Sequence, residues 1–312
     1  NQNGPPEETR TRKRKFLPFR YAPINTPIHK RRETASVMLW IALMPLLFSS
    51  FLLLLLSPSF YTVALAYIVF LLIDTAPETG GRQFHWLRRL PNWKWMSNFF
   101  PMRLVKTCDL DPKGNYMFAY HPHGIISLGA FCMFGTEARS FSSVFPGIDL
   151  RVLTLSSNFT MLVPGGAAES LYAFPNRYDL VIKRRLGFIK LALKNGASLV
   201  PVIAFGETNV YDQVDNPKGS LIRTFQDFFQ KYASFAPPFF HGRGVLQYDF
   251  GILPHRRELI CITGAPIPCA RVADPSREQL LAHQKRYLDA LEELFAAYKD
   301  EYAPTAELCF VE

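Results

Sequence analysis

The sequence predicts an α/β protein, a mixed sheet flanked by helices, preceded by an N-terminal transmembrane helical hairpin. From Lys113 onward, short apolar runs alternate with helical stretches, a pattern typical of α/β layer folds. From Val37 to Ile73 no residue is charged. An uncharged segment of this length is longer than those usually found in the core of a globular protein. A cluster of histidine and glycine directly follows the first apolar run of the later region, which places polar chemistry at a strand end.

The uncharged stretch divides into two parts, and each part predicts a helix. Val37–Leu56 reaches about 30 Å at the rise of an α-helix, which matches the thickness of a hydrocarbon core. Ser57-Pro58-Ser59 interrupts it. Phe60–Ile73 is shorter than the roughly 17–25 residues that a full span needs. The sequence therefore leaves open whether this second part crosses the bilayer or is re-entrant, and a pair of soluble core helices is the disfavoured alternative.

The net charge of +9 is concentrated before the hairpin. Positive segments stay in the cytosol, so a hairpin places both the N-terminus and everything after Asp74 there. A negatively charged membrane lipid surface is the expected partner, and no nucleic acid is expected because no recognition motif accompanies the charge. The chain divides into a basic cytosolic segment (1–36), the hairpin (37–74), an interfacial connector (75–112) and a domain from 113 to 312.

The five cysteines are scattered, and no pair has the spacing of metal ligands. We expect reduced thiols, mostly buried, as is usual on a cytosolic face. Asn158-Phe159-Thr160 matches a glycosylation sequon that a cytosolic domain would leave unused.

Apolar runs and helical periodicity locate the elements of the 113–312 domain. The candidate strands are Tyr116–Tyr120, Leu150–Leu155, Leu180–Lys183, Ser198–Phe205 and Leu259–Thr263. The candidate helices are Leu128–Phe134, Gly187–Lys194, Leu221–Tyr232 and a long C-terminal helix capped by Asp274. The apolar stripe of this last helix, which includes Tyr287, is interpreted as a packing face.

The motif YHPHG at residues 120–124 carries the clearest chemical signal. Imidazole titrates near neutral pH, so histidine is the default general base. Gly124 allows a close approach of another backbone or a substrate. We expect His123 to be the base because it adjoins Gly124, and His121 to hold or orient it; the reverse assignment stays open.

Four stretches occur together in this order: YHPHG (120–124), VPGGAAESL (163–171), RLGFIKLA (185–192) continuing to FGE (205–207), and FHGRG (240–244). Together they resemble the type-2 diacylglycerol acyltransferase family, which includes the monoacylglycerol and wax-ester enzymes. The segment YAPINTPI at 21–28 is similar to fungal diacylglycerol acyltransferases. The resemblance covers about 113–312, which it identifies as a glycerolipid-acyltransferase-like catalytic domain.

The resemblance implies that an acyl group passes from acyl-CoA to diacylglycerol, giving triacylglycerol. A histidine takes the proton of the acceptor hydroxyl, and backbone N–H groups of glycine-rich turns stabilise the oxyanion. Coenzyme A is a good leaving thiol, so neither a cofactor nor a metal is expected, and acyl-CoA is a co-substrate. The oligomeric state is left open, with a homodimer among the possibilities.

The remaining site residues follow from this chemistry. Related glycerolipid acyltransferases carry an aspartate five positions after the histidine, but Ile126 and Leu128 stand at those positions here. Glu169 is the first candidate for an orienting carboxylate and Glu137 the second. The expected groups for the oxyanion and acyl-CoA phosphates are Gly124, Gly165, Gly166, Arg185, Lys190 and Arg243.

Other functions stay open. The acceptor could be monoacylglycerol, a fatty alcohol or a sterol, because pocket shape rather than short motifs decides it. A lysophospholipid acyltransferase is disfavoured by the missing aspartate, and an inactive membrane-anchored lipid-binding scaffold is the alternative from another class. The expected location is the endoplasmic reticulum membrane with a cytosolic catalytic domain, and also lipid droplets if the apolar block is a hairpin.

Overall fold

The computed structural model of the protein describes residues 20–76, 81–150, 161–233 and 237–311. The α-helices are α1 (Ile28–Leu56), α2 (Tyr61–Ile73), α3 (His85–Arg88), α4 (Pro91–Phe99), α5 (Phe141–Val144), α6 (Gly166–Ser170), α7 (Gly187–Asn195), α8 (Leu221–Ala233) and α9 (Arg277–Tyr302). The strands are β1 (Arg103–Lys106), β2 (Tyr116–His121), β3 (Met161–Leu162), β4 (Arg177–Val181), β5 (Ser198–Phe205), β6 (Asp212–Gln213), β7 (Phe240–His241), β8 (Ile260–Thr263) and β9 (Glu307–Val311).

The central sheet is mixed, as predicted. Its strand order is β1-β8-β5-β2-β3, and every neighbouring pair is parallel except β5 with β8. The β2–β5 register joins Tyr116 to Ser198 and His121 to Ile203. Two smaller sheets pair β4 with β9 and β6 with β7. Because β2, β3 and β5 run in parallel, the loops that follow them open at the same edge of the sheet.

Alternation along β2 distributes its side chains between two hydrophobic cores. Phe118 and Tyr120 pack in the core that also contains Val37 of α1. Met117 and Ala119 pack on the opposite face, in the core formed with α7 and α9. Successive strand residues point to opposite faces, so His121 belongs to the face covered by α9.

The hairpin begins earlier than its apolar composition predicts. α1 starts at Ile28 because its charged first turns dock on the domain rather than in lipid. Ser36 Oγ donates to the carbonyl of Asn92 at 2.6 Å, and the ring of Trp40 lies 5.4 Å from that of Phe131. Further along α1 most large apolar side chains are exposed, as a lipid-facing helix requires.

The second arm of the hairpin is short. α1 is long and apolar enough to cross a membrane. The 13 residues of α2 reach only about 20 Å, less than the roughly 30 Å of a hydrocarbon core. Of the two arms, only α1 is therefore long enough to span a bilayer as a straight helix.

Several predicted elements are confirmed within one or two residues, and others are wrong in detail. The bounds of β5 match the prediction, and β2 extends one residue further, to His121. The C-terminal helix is capped by Ser276, whose side chain and Gln279 form a capping box, instead of by Asp274. The predicted helix Leu128–Phe134 is wound mainly as a π-helix over Ala130–Gly135. The predicted strand Leu150–Leu155 and the sequon fall almost wholly outside the described residues.

Candidate active site

Three loops meet at the edge of the sheet where β2, β3 and β5 end. β2 ends at His121 and the loop after it carries His123, the turn after β3 leads into α6, and Gly206-Glu207 follows β5. Parallel neighbours bring these loops together although they are far apart in sequence. The site is thus assembled by the sheet order.

His123 presents one free ring nitrogen. Its Nδ1 lies 3.0 Å from the carbonyl oxygen of Gly124. A carbonyl can only accept a hydrogen bond, so this contact places the proton on Nδ1 and leaves a lone pair on Nε2. Nε2 has no hydrogen-bond partner among the described residues. Burial lowers the pKa of His123 below its usual 6.5, partly offset by the Gly124 contact, so the ring is neutral at pH 7.

His121 is fully buried against α9. Its Nε2 lies 3.0 Å from the hydroxyl of Tyr287, and that hydroxyl donates to the carbonyl of Ala119 at 3.2 Å. The His121 Nε2–H therefore donates to the Tyr287 oxygen. Desolvation lowers the pKa of His121 to about 3, so this ring stays neutral and is fixed by its neighbours.

Glu169 contacts the main chain of His123 instead of its ring. Oε1 accepts from the His123 N–H at 2.6 Å, and Oε2 accepts from the Val181 N–H at 2.8 Å. The carboxyl group is buried, and burial raises its pKa to about 7 against the lowering effect of the two N–H donors. Glu169 thus ties the histidine loop to the end of β4. The second candidate, Glu137, pairs with Arg88 at 3.3 Å, away from these groups.

Glu207 is a second buried carboxyl group at the site, and the sequence reasoning assigned it no role. It accepts from the Tyr120 hydroxyl at 2.6 Å, from Leu128 N–H at 2.7 Å and from Gly129 N–H at 3.0 Å. Burial raises its pKa to about 7. A Cβ added at Gly124, whose φ is +60°, would lie 2.8 Å from Glu207 Cγ.

A family model described as "Diacylglycerol acyltransferase" matches residues 52–163 and 160–311. The chain belongs to the diacylglycerol acyltransferase family. It is an acyl-CoA-dependent O-acyltransferase.

Curated relatives cover nearly the whole chain. The chain is 41% identical to "Diacylglycerol O-acyltransferase 2B" of Umbelopsis ramanniana, over 91% of this chain and 92% of the relative. It is 38% identical to "Diacylglycerol O-acyltransferase 2" of Dictyostelium discoideum, over 91% and 96%. It is 36% identical to "2-acylglycerol O-acyltransferase 1" of Homo sapiens, over 90% and 96%. No solved structure matches the chain.

The glycines and one arginine of this acyltransferase lie beside Glu169. Gly166 adopts a left-handed φ of +58° at the start of α6. Arg185 Nη2 donates to the Gly165 carbonyl at 3.4 Å, and its positive charge lowers the pKa of Glu169. Arg185 and Lys190 are both exposed to solvent. The second and third motifs are therefore in contact, and both adjoin the loop of His123.

Arg243 lies elsewhere, in a cavity of about 710 Å³ beside the start of α1. The cavity is lined by Arg243, Arg256, Lys30 and Arg31 together with apolar and aromatic side chains, and by neither histidine. The Arg243 guanidinium lies 4.1 Å from the ring centre of Tyr248. Burial and the charge of Arg256 lower the pKa of Arg243, and the described residues give it no carboxylate partner.

Two functional neighbours were missed by the sequence reasoning. Glu207 was visible as the end of the FGE stretch, directly after the buried β5, a position where α/β enzymes carry site residues. Tyr287 gave no such signal, because its place on the apolar stripe of α9 predicts packing alone. Within the described residues, no group of three His, Cys, Asp or Glu side chains is placed to hold a metal ion.

Proposed function

We propose that this enzyme transfers the acyl group of acyl-CoA to diacylglycerol, forming triacylglycerol, with His123 as the general base. The observation that carries the proposal is the neutral, partly exposed imidazole whose Nε2 lone pair is free. Two of the relatives above are named as diacylglycerol acyltransferases, at higher identity than the relative that is named for 2-acylglycerol.

In the proposed step, the hydroxyl oxygen of diacylglycerol attacks the thioester carbonyl carbon while His123 Nε2 accepts the hydroxyl proton. The tetrahedral intermediate then collapses, the carbon–sulfur bond breaks, and the coenzyme A sulfur leaves. The imidazolium returns its proton to that sulfur, which restores the neutral base. Because the thiol is a good leaving group, the proposal needs no metal or cofactor.

The oxyanion of the intermediate needs N–H donors fixed in advance. We assign this role to the main-chain N–H groups of Gly124 and Gly165 in the two glycine turns. The Gly166 N–H is already engaged, since it donates to the Val163 carbonyl at 3.2 Å. Glu169 and Glu207 act as positioning residues, because their carboxyl oxygens hold main-chain N–H groups of the histidine loop.

The reverse assignment, with His121 as the base, has less support. Its Nε2–H is engaged by Tyr287 and its ring is fully buried, so an acceptor hydroxyl would need a rearranged core to reach it. We assign His121 the role of fixing the end of β2, two residues before His123.

Acyl-CoA carries phosphates and needs cations. Arg185 contacts the second motif at Gly165 and is exposed, so it can meet those phosphates near the histidine loop. Lys190, exposed on α7, is a further candidate. Arg243 in its cavity is the other candidate. A site away from the histidines fits this molecule, because the pantetheine arm separates its phosphates from the thioester.

The helix α1, long and apolar enough to cross a membrane, supports a membrane location for this enzyme. We propose the endoplasmic reticulum membrane, with the catalytic domain in the cytosol. A second arm too short to span would also suit the single phospholipid layer of a lipid droplet. Protease protection of terminal tags in sealed microsomes tests this topology, and a protected C-terminal tag contradicts it.

The decisive experiment is acyl transfer from radiolabelled oleoyl-CoA in membranes that contain the full chain. Diacylglycerol, monoacylglycerol, a fatty alcohol and lysophosphatidic acid are offered in parallel. His123→Ala is compared with His283→Ala, which removes a histidine on α9 whose contact is with its own helix, at Gln279.

Triacylglycerol made by wild type and His283→Ala but not by His123→Ala supports both the reaction and the base. Transfer to another acceptor keeps the chemistry and changes the substrate. No transfer to any acceptor by folded protein favours the scaffold alternative.

The role of Arg243 has its own test. Arg243→Gln is expected to raise the KM for oleoyl-CoA about tenfold, the effect of losing a charge-assisted hydrogen bond. Arg257→Gln, an exposed neighbour outside the cavity, removes the same charge and serves as the control. An unchanged KM in Arg243→Gln would place the phosphates elsewhere.

A further inference from the structure

Helix α8 exposes its apolar face and buries its polar face, the reverse of an ordinary surface helix. Its exposed side chains are large and apolar: Leu221 is 91% exposed, Phe228 58% and Tyr232 68%, and Phe225 and Phe229 are also exposed. Their spacing places them on one face of a helix. A globular protein normally buries such a face and exposes polar residues.

The face of α8 that packs on the domain is polar. Arg223 is 8% exposed and Gln226 1%. Arg223 donates to the Tyr172 hydroxyl at 2.9 Å, and Gln226 accepts from Asn216 at 2.9 Å and donates to the Pro237 carbonyl at 3.0 Å. Because these buried groups are satisfied, α8 is held in this orientation, and the fold presents its aromatic face outward.

The aromatic face continues toward the hairpin. Phe225 contacts Phe239 with ring centres 6.1 Å apart, and β7 leads on to the 245–252 loop. In that loop Leu246 and Ile252 are exposed. The loop is bonded to the segment that enters α1, where Ala22 N–H donates to the Leu246 carbonyl at 2.7 Å. Ile24 of this segment is 95% exposed.

We propose that α8 lies in the membrane interface as a second contact of the catalytic domain with the bilayer, separate from the hairpin. Its aromatic face enters the boundary between headgroups and acyl chains, and the 245–252 loop and residues 21–24 complete the surface. Amphipathic helices with aromatic residues on one face and lysine beside it bind in this way.

A lipid surface fits this face better than a second copy of the chain. Contacts lead from Phe225 through Phe239 and the 245–252 loop to the segment that enters α1, the helix long enough to cross a bilayer. A bilayer that takes up α1 therefore lies near the same side of the domain. Lys231 flanks the aromatic face, with its Nζ 5.3 Å from the ring centre of Tyr232. Aromatic rings with lysine at their border are typical of the membrane–water interface.

The test places a tryptophan reporter on α8 in the full chain. Phe228→Trp is reconstituted in phosphatidylcholine vesicles that carry a nitroxide quencher either near the headgroup or deep in the acyl chain, and the emission of the parent chain is subtracted. Leu281→Trp is the matched control, since Leu281 is 45% exposed on α9, which packs on the face of the sheet opposite to the one that holds Val37 of α1.

The expected result is a blue-shifted signal from the tryptophan at position 228 that is quenched more by the shallow label than by the deep one, with no quenching at position 281. Equal absence of quenching at both positions, in protein with wild-type Tm, overturns the proposal. A blue shift that depends on protein concentration in detergent and is insensitive to lipid quenchers assigns the face to a second copy and also overturns it. This readout does not depend on the proposed reaction.

A second variant tests whether the contact matters for the enzyme. Phe228→Ser with Phe229→Ser is expected to lower the rate with a vesicle-borne acceptor and to leave the rate with a dispersed short-chain acceptor unchanged. If the ratio of variant rate to wild-type rate is the same for the vesicle-borne and the dispersed acceptor, a membrane role for α8 is contradicted.

Discussion

Removing the Tyr287 hydroxyl tests how α9 supports the histidine motif. Tyr287→Phe leaves the ring packing in place and deletes one oxygen. That oxygen is the acceptor for His121 Nε2–H at 3.0 Å and the donor to the Ala119 carbonyl at 3.2 Å. All three groups are buried, so no water replaces the missing partner.

The expected loss of stability follows from the groups that lose a hydrogen-bond partner. A buried donor or acceptor without a partner costs about 1–3 kcal/mol. The Ala119 carbonyl lies in a paired strand, between β3 and β5, so the main cost comes from His121. We expect a loss of about 1–3 kcal/mol in the free energy of unfolding, which lowers the Tm by roughly 1.5 °C for each kcal/mol in a chain of 312 residues.

The assay is thermal unfolding of the full chain in mild detergent, combined with the pH–rate profile. Tyr298→Phe is the control, because Tyr298 lies on the same helix and stacks on Tyr302 without a hydrogen bond from its hydroxyl among the described contacts. If Tyr287 acts only through position, the acid limb of the profile stays where it is in wild type. A Tyr287→Phe variant that is as stable as wild type but inactive would refute the reasoning, as would an unchanged Tm with unchanged activity.

Three further predictions concern the histidine loop. Glu169→Gln is expected to lower kcat by about 10²-fold, since either orientation of the amide turns an NH₂ group toward one of two N–H donors and displaces the loop. Glu137→Gln is the control, and equal rates in the two variants would contradict a positioning role for Glu169. Burial lowers the pKa of His123, so the base stays neutral as pH falls through 6.5, and kcat/KM is expected to decline only below that value; an acid limb at or above 6.5 would argue against His123. Gly124→Ala is expected to destabilise the fold by at least about 1–2 kcal/mol through its positive φ alone, and more through its contact with Glu207, which a Tm at the wild-type value would disprove.

Much of the fold could be predicted because its signals are local. β5 is an unbroken apolar run with clear ends, and its bounds match. The hairpin is recognisable from the absence of charge. α9 was located by periodicity, although its cap moved from Asp274 to Ser276, because the capping box with Gln279 satisfies the first N–H groups better.

The candidate site could be predicted only in part from the sequence. His123 and Gly124 stand in one motif, and the structure gives that histidine a free Nε2. The partner of Glu169 was anticipated as an imidazole, but the carboxylate reaches the His123 main chain from a distant turn. Such contacts depend on where α6 comes to lie after β3, which no local pattern reports.

The sequence by itself determined the α/β class, the apolar hairpin, the histidine motif and the resemblance to an acyltransferase family, because composition, periodicity and short motifs are properties of the chain. The tertiary structure alone decided which nitrogen of His123 is free, that Tyr287 and Glu207 support the motif, and that α8 turns its aromatic face outward. These features arise from residues distant in sequence, and only the strand order and the packing of helices on the sheet set the distances between them.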